Sequence, residues 1–394
     1  MVEKTIYSFG KVKTIQGKET IFCLGDILKE MHAKKVLLVS DKGIVAAGHV
    51  EKACEALKGA GVAWEIYDGV KTDPLDTMVD EALAMCKDSH CDIVVGLGGG
   101  SSMDVAKCVS VMMTNEGYIM EYTRINPNKR SFTADRIPLV LIPTTSGTGS
   151  ELSPFAVITN TAISRKSNVT CEYFLPDVVI LDPTLVFTLD KQMTVSSGFD
   201  ALAHIIDGYT VKAAVLHKNP LVDCIALQAV KMVYQNLGRA YALPNDYEAR
   251  YMVMMGAHLA GAMLSAGTGA SHGLANMLSK YYHVPHGESV GMLLPYVMEH
   301  NLIACPSRFA ELAEAMGVKK EGMTDIEAGH AAVQAVKQLA TSVHLPVLSD
   351  YMKQREDIEA FVEESLDNSC NYANVREIDL DAARFIFQGA YDWS

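Results

Sequence analysis

The chain has 394 residues, of which 49% are apolar and 21% charged, and its formal net charge at pH 7 is −13. An acidic chain is repelled by nucleic acids and by anionic membrane surfaces, so the composition argues against both kinds of partner. No apolar run approaches the roughly 18 residues of a membrane span, and the charged start MVEKTIYSFG is not expected to be a secretion signal. The nine cysteines are scattered without a CxxC pair, which favours reduced thiols in a cytoplasm over disulfides or a thiolate zinc site.

Short apolar runs alternate with helical stretches through the first half of the chain. The pattern predicts strands over 35–41, 62–70, 92–98 and 137–146 and, between them, helices over 49–61, 76–89 and 102–113. Strands and helices that alternate at this spacing are typical of parallel β-α-β units, with helices on both faces of one sheet.

After about residue 185 the strand signals fade and helical periodicity takes over. Apolar residues recur at helical spacing over 220–242, 247–267 and 324–343. Thr324 and Glu327 have the spacing of a capping box. The predicted architecture is an α/β domain with a parallel sheet over 1–185, followed by an all-α carboxy-terminal domain over 186–394.

A glycine-rich loop follows the predicted strand 92–98. In DIVVGLGGGSSMDVAK, Gly98, Gly99 and Gly100 lie between this strand and the next helix. Backbone amides at a helix amino terminus attract phosphate, and glycine lets the backbone approach it closely. Ser101 and Ser102 add hydroxyl donors and can cap the helix. The spacing is not GxGxxG, so a generic turn is the alternative.

A second loop, PTTSGTGSE at 143–151, also follows an apolar strand and offers Thr144, Thr145 and Thr148 as hydroxyl donors. A doubly wound sheet binds nucleotides beside such loops, at the carboxyl ends of its strands. Asp41 ends an earlier predicted strand and is placed to accept a bond from a ribose 2′-hydroxyl. Its charge would repel a 2′-phosphate. Together these features predict a Rossmann-like dinucleotide-binding domain that prefers NAD(H) to NADP(H).

The helical half carries a candidate metal site. Asp200 and His204 are four residues apart on a predicted helix, so they share one face. A capping aspartate and a core histidine are the alternative for this pair alone. Further along, GTGASHGLANMLSKYYHVPHG supplies His272 and His286. One carboxylate and three imidazoles suit Fe(II), Zn(II), Mn(II) or Ni(II), and such an ion beside a nicotinamide would act as a Lewis acid during hydride transfer.

On the motifs GGGSSMDVAK, IPTTSGTGSE, GFDALAHIIDGY and SHGLANMLSKYYHVPHG, the chain resembles the iron-dependent (group III) alcohol dehydrogenases over nearly its whole length. The resemblance implies an amino-terminal dinucleotide domain, a carboxy-terminal helical domain and catalysis in the cleft between them. It implies NAD(H), a divalent metal that is iron or alternatively zinc, and a small alcohol or aldehyde as substrate. It also implies homodimers that pair through amino-terminal strands, and KTIYSFGKVKTI has a fitting alternation. The implied metal ligands are Asp200, His204, His272 and His286, and the implied cofactor contacts are Asp41, Gly98, Gly99, Ser101, Asp104, Thr144, Thr145, Thr148 and Lys166.

One position departs from the pattern that the chain resembles. That pattern has a second histidine four residues after the third ligand, where this chain has Asn276. An amide does not titrate near neutrality, so Asn276 is predicted to donate a hydrogen bond to the substrate instead of acting as a base. His283, three residues before the last ligand, is the candidate proton carrier, and an ordinary place at a helix end is the alternative. Lewis-acid catalysis should survive the missing relay, since a general acid contributes on the order of 10²- to 10⁴-fold.

The predicted function is a metal-dependent, NAD(H)-linked alcohol dehydrogenase or aldehyde reductase. Asn276 raises the alternative of an anionic substrate, a sulfonated or phosphonated aldehyde, because a neutral amide donor would accommodate its charge. A lyase of the dehydroquinate-synthase type shares the architecture, but it needs basic residues that the segments around the metal ligands lack. A non-catalytic assembly protein is disfavoured because all four metal ligands are present.

Overall fold

The structure is a computed structural model that describes residues 12–123 and 126–393. These residues form two compact units. The α/β unit contains the described residues up to Thr145 together with Gly149–Thr188. The helical unit contains Ser146–Thr148 and the described residues from Leu189 onward.

The α/β unit is built on a six-stranded parallel sheet and a separate two-stranded hairpin. Its strands are β1 (Lys13–Gln16), β2 (Lys35–Asp41), β3 (Ala63–Val70), β4 (Ile93–Gly98), β5 (Leu139–Pro143), β6 (Phe155–Asn160), β7 (Arg165–Thr170) and β8 (Val178–Leu181). The sheet has the order β1-β8-β5-β4-β2-β3, while β6 and β7 pair antiparallel. The chain goes from β2 to β3 on one side and then to β4 on the other. The topological switch point, where such sheets bind ligands, therefore lies at the carboxyl ends of β2 and β4.

Helices cover both faces of this sheet, as predicted. They are α1 (Leu24–Glu30), α2 (Lys42–Ala46), α3 (His49–Ala60), α4 (Asp76–Asp88) and α5 (Gly100–Met112). Alternate residues of one strand enter different cores: Leu37 of β2 joins the core that contains residues of α4 and α5, and Val36 joins the core that contains residues of α1 and α3. The predicted strands correspond to β2, β3, β4 and β5, and the predicted helices to α3, α4 and α5.

The helical unit contains no strand among its described residues. Its helices are α6 (Lys191–Thr210), α7 (Lys212–Leu216), α8 (Pro220–Ala242), α9 (Tyr247–Met263), α10 (Ala270–Tyr282), α11 (His286–Leu302), α12 (Pro306–Met316), α13 (Asp325–Ser342), α14 (Ser369–Ala373) and α15 (Leu380–Asp392). One core runs through the unit and includes Phe199, Leu274 and Leu293. The helices predicted over 220–242, 247–267 and 324–343 correspond to α8, α9 and α13. Thr324 and Glu327 form the predicted capping box.

One boundary was predicted wrongly in this unit. The periodic pattern predicted a single helix up to residue 267, but α9 ends at Met263 and a 3-10 turn over Leu264–Ala266 follows. Gly267, at φ +95°, then turns the chain away from the helix axis. Within the described part of the chain, no helix is both long and apolar enough to cross a bilayer.

Candidate active site

Helix α6 presents Asp200 and His204 on one face, one turn apart. Nδ1 of His204 lies 3.7 Å from Oδ1 of Asp200, and both side chains are buried. The helix is capped by Asp190, whose carboxylate accepts the amide of Met193 at 2.7 Å. Asp200 lies in the helix interior, so it is not the capping residue of the alternative interpretation.

Two more histidines reach the same carboxylate from the starts of α10 and α11. His272 is the third residue of α10 and His286 is the first residue of α11. Their Nε2 atoms lie 3.8 and 3.6 Å from Oδ1 of Asp200. The rings of His204 and His272 stack with their centroids 4.4 Å apart. The structure thus brings together all four residues that were predicted as metal ligands.

Three atoms of this cluster are buried and have no hydrogen-bond partner among the described residues: Oδ1 of Asp200, Nδ1 of His204 and Nε2 of His272. An unsatisfied buried polar group costs about 1–3 kcal/mol of folding free energy. Three such atoms at one place therefore indicate a binding site whose ligand satisfies them. Ligand atoms from these three residues lie within 4.8 Å of one another. Divalent transition metals bind such mixed nitrogen and oxygen donors, so the residues fit a metal ion.

The charges of the cluster shift the pKa values of its members in different directions. Burial raises the pKa of Asp200, but the neighbouring His204, His272 and His286 outweigh burial and hold that pKa below its usual range. Burial lowers the pKa of His204 to about 4 despite the charge of Asp200. Burial also lowers the pKa of His272, but its contacts with Asp200 and Asp207 outweigh burial and raise that pKa above its usual value. At neutral pH, Asp200 and His204 are therefore ready to bind a metal, whereas His272 has to lose a proton.

The glycine that follows each of the last two ligands makes room for a neighbouring segment. A Cβ atom on Gly287 would lie 2.1 Å from the carbonyl oxygen of Ser196 in α6. A Cβ atom on Gly273 would lie 2.1 Å from Oδ1 of Asn371. At Gly287 the obstacle is backbone, so only glycine permits this packing, whereas at Gly273 the side chain of Asn371 would have to move. At Gly287, the packing holds the start of α11 against the helix that carries Asp200.

Asp207 also belongs to the site, although it was not predicted from the sequence. Its Oδ2 atom lies 2.9 Å from Nδ1 of His272 and accepts a hydrogen bond from Oγ of Ser271. Asp207 follows Asp200 by seven residues and His204 by three, so helical spacing places all three on one face of α6. That spacing was the available signal.

Asn276 and His283 lie further along α10 than the ligand His272. Asn276 is one turn beyond His272 and partly buried, and its side chain forms no hydrogen bond with the described residues. His283 is exposed and ends α10 in the left-handed region at φ 55°. Its position is a helix end, and its role as a proton carrier stays a prediction.

In the α/β unit, Asp41 lies beside the glycine loop at the topological switch point. Oδ2 of Asp41 accepts a hydrogen bond from Oγ of Ser102 at 3.2 Å. Oδ1 accepts the amides of Gly43 and Ile44 and thereby caps α2. Gly98 has φ +155°, and a Cβ atom there would lie 2.6 Å from Oγ of Ser102. The close approach of the loop to Ser102 therefore requires glycine at position 98.

The prediction that Ser101 and Ser102 cap the following helix was wrong. Helix α5 begins after Gly99, and no side chain caps its first turn. Ser102 is buried and bonds to Asp41 instead, and Ser101 is partly buried in the first turn. Because no described side chain caps it, the first turn of α5 keeps free amides that can bind an anion.

The second loop meets the first at the ends of β4 and β5. The amide of Thr144 donates to the carbonyl of Gly98 at 3.0 Å, and Oγ1 of Thr144 is buried without a hydrogen-bond partner in the described structure. A Cβ atom on Gly99 would lie 3.5 Å from Cγ2 of Thr145. Thr148 belongs to the helical unit, and its contact with a cofactor stays a prediction.

Two other predicted cofactor residues are engaged elsewhere in the α/β unit. Asp104 is buried and accepts hydrogen bonds from Ser150 at 2.6 Å and from Lys107 at 3.4 Å. Lys166 forms an ion pair with Asp73, at 2.6 Å between Nζ and Oδ1. Their contacts with a cofactor stay predictions.

Comparison with known proteins decides the family. The model of the iron-containing alcohol dehydrogenases matches residues 12–183, and the model of the carboxy-terminal domain of the Fe-containing alcohol dehydrogenase family matches residues 194–391. The chain belongs to the iron-containing alcohol dehydrogenase family. The predicted family and fold class are therefore confirmed.

Individual relatives agree with this assignment. The chain is 34% identical to 1,3-propanediol dehydrogenase of Citrobacter freundii over 95% of its own length and 96% of that protein. Its structure matches a crystal structure of 1,3-propanediol oxidoreductase with a TM-score of 0.90, 34% identity and coverage of 96% and 98% of the two chains. Sulfoacetaldehyde reductase from Bifidobacterium kashiwanohense, in complex with NAD⁺, matches with a TM-score of 0.88, 26% identity and coverage of 99% and 100%.

The family consists of metal-dependent, NAD(H)-linked oxidoreductases, and this chain is accordingly an alcohol dehydrogenase or aldehyde reductase that uses NAD(H) and a divalent metal. The 1,3-propanediol relatives, at 34% identity, favour neither the lyase, nor the assembly protein, nor the specialised anionic substrate, whereas the sulfoacetaldehyde reductase matches at 26%.

Proposed function

We propose that this enzyme interconverts a small uncharged aldehyde and its alcohol at a metal site formed by Asp200, His204, His272 and His286. The convergence of unsatisfied buried donor atoms from Asp200, His204 and His272 is the observation that carries the proposal. Residues 186–394 form the catalytic, metal-binding domain, and residues 1–185 form the dinucleotide-binding domain. The metal is Fe(II), the ion after which the family is named, and Zn(II) is the alternative.

When bound, a divalent metal supplies Lewis-acid polarisation of the substrate oxygen. Asp200 contributes the one anionic ligand, and its depressed pKa keeps it ionised over the working pH range. Asn276, one turn beyond His272 and without a hydrogen-bond partner among the described residues, donates its amide hydrogens to the substrate. His283, exposed at the end of α10, exchanges the proton with solvent.

The coenzyme binds at the carboxyl ends of the parallel strands. The uncapped first turn of α5, with Gly98 and Gly99 before it, holds the pyrophosphate. Asp41 accepts a bond from the 2′-hydroxyl of the ribose, which favours NADH over NADPH. Hydroxyl groups of the second loop and of the start of α5 donate hydrogen bonds to the coenzyme. The other residues proposed to contact the coenzyme are Ser101, Asp104, Thr144, Thr145, Thr148 and Lys166.

The enzyme works in the cytoplasm as a homodimer or larger homo-oligomer. All nine cysteines are free thiols, which suits a reducing compartment. Among the described residues, β1 pairs with β8 alone and forms one edge of the sheet. Most of the segment KTIYSFGKVKTI, through which two chains would pair, lies outside the described residues. Light scattering on the purified protein measures its molar mass and therefore the number of chains in the oligomer.

An activity screen on metal-replete enzyme tests the proposed reaction. Lactaldehyde, 3-hydroxypropanal, butanal and sulfoacetaldehyde are offered with NADH and with NADPH, and elemental analysis identifies the bound metal. We expect about one divalent ion per chain and NADH oxidation with at least one uncharged aldehyde. Absence of any absorbance change across the panel contradicts the proposal, and activity confined to sulfoacetaldehyde contradicts the substrate class.

A further inference from the structure

A buried carboxylate lies behind the metal ligand His272. Oδ2 of Asp207 is 2.9 Å from Nδ1 of His272, and Oγ of Ser271 donates a hydrogen bond to the same oxygen. Asp207 is 2% exposed and Ser271 is fully buried, so water does not compete for these bonds. One carboxylate oxygen therefore holds both the imidazole and the residue before it.

This contact determines which nitrogen of His272 can bind a metal. An ionised carboxylate only accepts hydrogen bonds, so Nδ1 of His272 must carry the proton that it donates to Asp207. Nε2 is then the nitrogen that a metal would bind. It is also the atom that lies 3.8 Å from Oδ1 of Asp200 and has no hydrogen-bond partner in the described structure.

The segment that carries His272 is held in place from a second direction. The amide of Ala270, at the start of α10, donates to Oδ1 of Asn374 at 3.3 Å. The side-chain amides of Asn374 and Asn301 exchange two hydrogen bonds, at 2.9 and 2.7 Å. A Cβ atom on Gly269 would lie 3.1 Å from Oδ1 of Asp207, so glycine leaves room for the carboxylate. The start of α10 is thus fitted around Asp207.

We propose that Asp207 is a positioning residue of the metal centre, which fixes the tautomer and the ring orientation of His272, and that Ser271 supports it. The inference rests on the proposed metal site and deepens it. Carboxylates that hold a ligating histidine in this way typically change metal affinity by about 10- to 100-fold.

Titration of the metal-free, full-length protein with Co²⁺ tests the proposal, because the visible spectrum of Co²⁺ reports its ligands and their geometry. Asp207→Asn should weaken Co²⁺ binding by about 10- to 100-fold and change the spectrum. Asp207→Glu restores the charge on a longer side chain and should recover part of the affinity. Ser271→Ala removes one supporting hydrogen bond and should weaken binding by about fivefold.

Asp223→Asn is the matched control. Asp223 is paired with buried Arg308 in the same unit, at 2.6 Å, and contacts no metal ligand. This variant should lose stability while it keeps the affinity and the spectrum of the unmodified enzyme. Ser271→Ala carries the test by itself if the Asp207 variants do not fold.

The proposal would be overturned if Asp207→Asn bound Co²⁺ with the affinity and the spectrum of the unmodified protein. If only Ser271→Ala folds, the same result in that variant would overturn it. An equal loss of affinity in Asp207→Asn and Asp223→Asn would also overturn it, because it would reflect general loosening. Failure of the unmodified protein to bind any Co²⁺ is a different result, since it contradicts the proposed metal site itself.

Discussion

The proposed coenzyme region of the sheet and the proposed metal site of the helical unit differ in how far their charged groups are already hydrogen-bonded. At the sheet, the carboxylate of Asp41 is engaged by the amides that it caps and by Ser102, and Asp104 is bonded to Ser150. In the helical unit, Oδ1 of Asp200 and Nε2 of His272 are buried and have no hydrogen-bond partner among the described residues. The carboxylates of the sheet region are therefore already hydrogen-bonded, although Oγ1 of Thr144 is not, whereas the proposed metal would satisfy the helical cluster.

This difference separates two ways of building a binding site. A region whose side chains are already bonded keeps its shape without the ligand and spends little energy on rearrangement when the ligand binds. A cluster with unsatisfied buried atoms gains stability when a ligand satisfies them, so metal binding and folding are coupled there.

Removal of the metal should have the largest effect. A ligand present at 1,000 times its Kd stabilises the folded state by about 4 kcal/mol, so a chelator should lower the free energy of unfolding by roughly that amount. Thermal unfolding with and without the chelator measures the change, and added metal should reverse it. His204→Ala, which lacks one ligand, should respond much less to the chelator. An unchanged transition in the unmodified enzyme would show that the cluster is complete without metal.

Asp41→Asn tests the sheet region. Asparagine caps helices about as well as aspartate, so the variant should keep the stability of α2 while it loses the negative charge. Like charges brought together cost several kcal/mol, and we therefore expect kcat/KM for NADPH relative to NADH to rise by roughly 10- to 100-fold. Steady-state kinetics with both coenzymes measure this ratio. An unchanged ratio would mean that Asp41 does not face the 2′ position.

The pH dependence of metal binding should show the smallest change in affinity per step, about tenfold per pH unit. In the metal-free protein the pKa of His272 is raised, so at neutral pH this ring carries a proton that the metal must displace. Apparent affinity should therefore fall as the pH falls, by about tenfold per pH unit below that pKa. The pKa of His204 is lowered to about 4, so His204 adds no second proton above about pH 5. Zn²⁺ titrations between pH 6 and 8 measure the slope, and a flat profile would contradict a protonated His272.

Much of the fold could be predicted because its signals are local. Strands β2 to β5 are short apolar runs, and the long helices carry apolar residues at helical spacing. Each of these elements can therefore be predicted from a stretch of about ten residues. Strands β1 and β8 have four residues each, and β7, with the sequence RKSNVT, is mostly polar. No local pattern indicates β7, which is defined by its partner β6, and the apolar run of β8 is too short for its period to separate a strand from a helix segment.

The same distinction explains the errors at the site. Ser102 was predicted to cap α5 because serine often caps helices. Its hydroxyl instead donates a hydrogen bond to Asp41, at the end of β2. Asp207 was missed because its importance depends on Ser271 and His272, more than sixty positions later in the chain. Local propensity cannot report a partner that folding brings from elsewhere.

By itself, the sequence determined the donor set: one aspartate and three histidines in the helical half, two glycine- or threonine-rich loops after strands, and Asp41 at a strand end. Residue type and spacing suffice for this, because helix and strand periods place side chains on shared faces. Only the tertiary structure decided which ligating atoms face one another and which nitrogen of His272 is held by a carboxylate. That choice depends on Asp207, which the packing of α10 against α6 brings to the ring from a distant part of the chain.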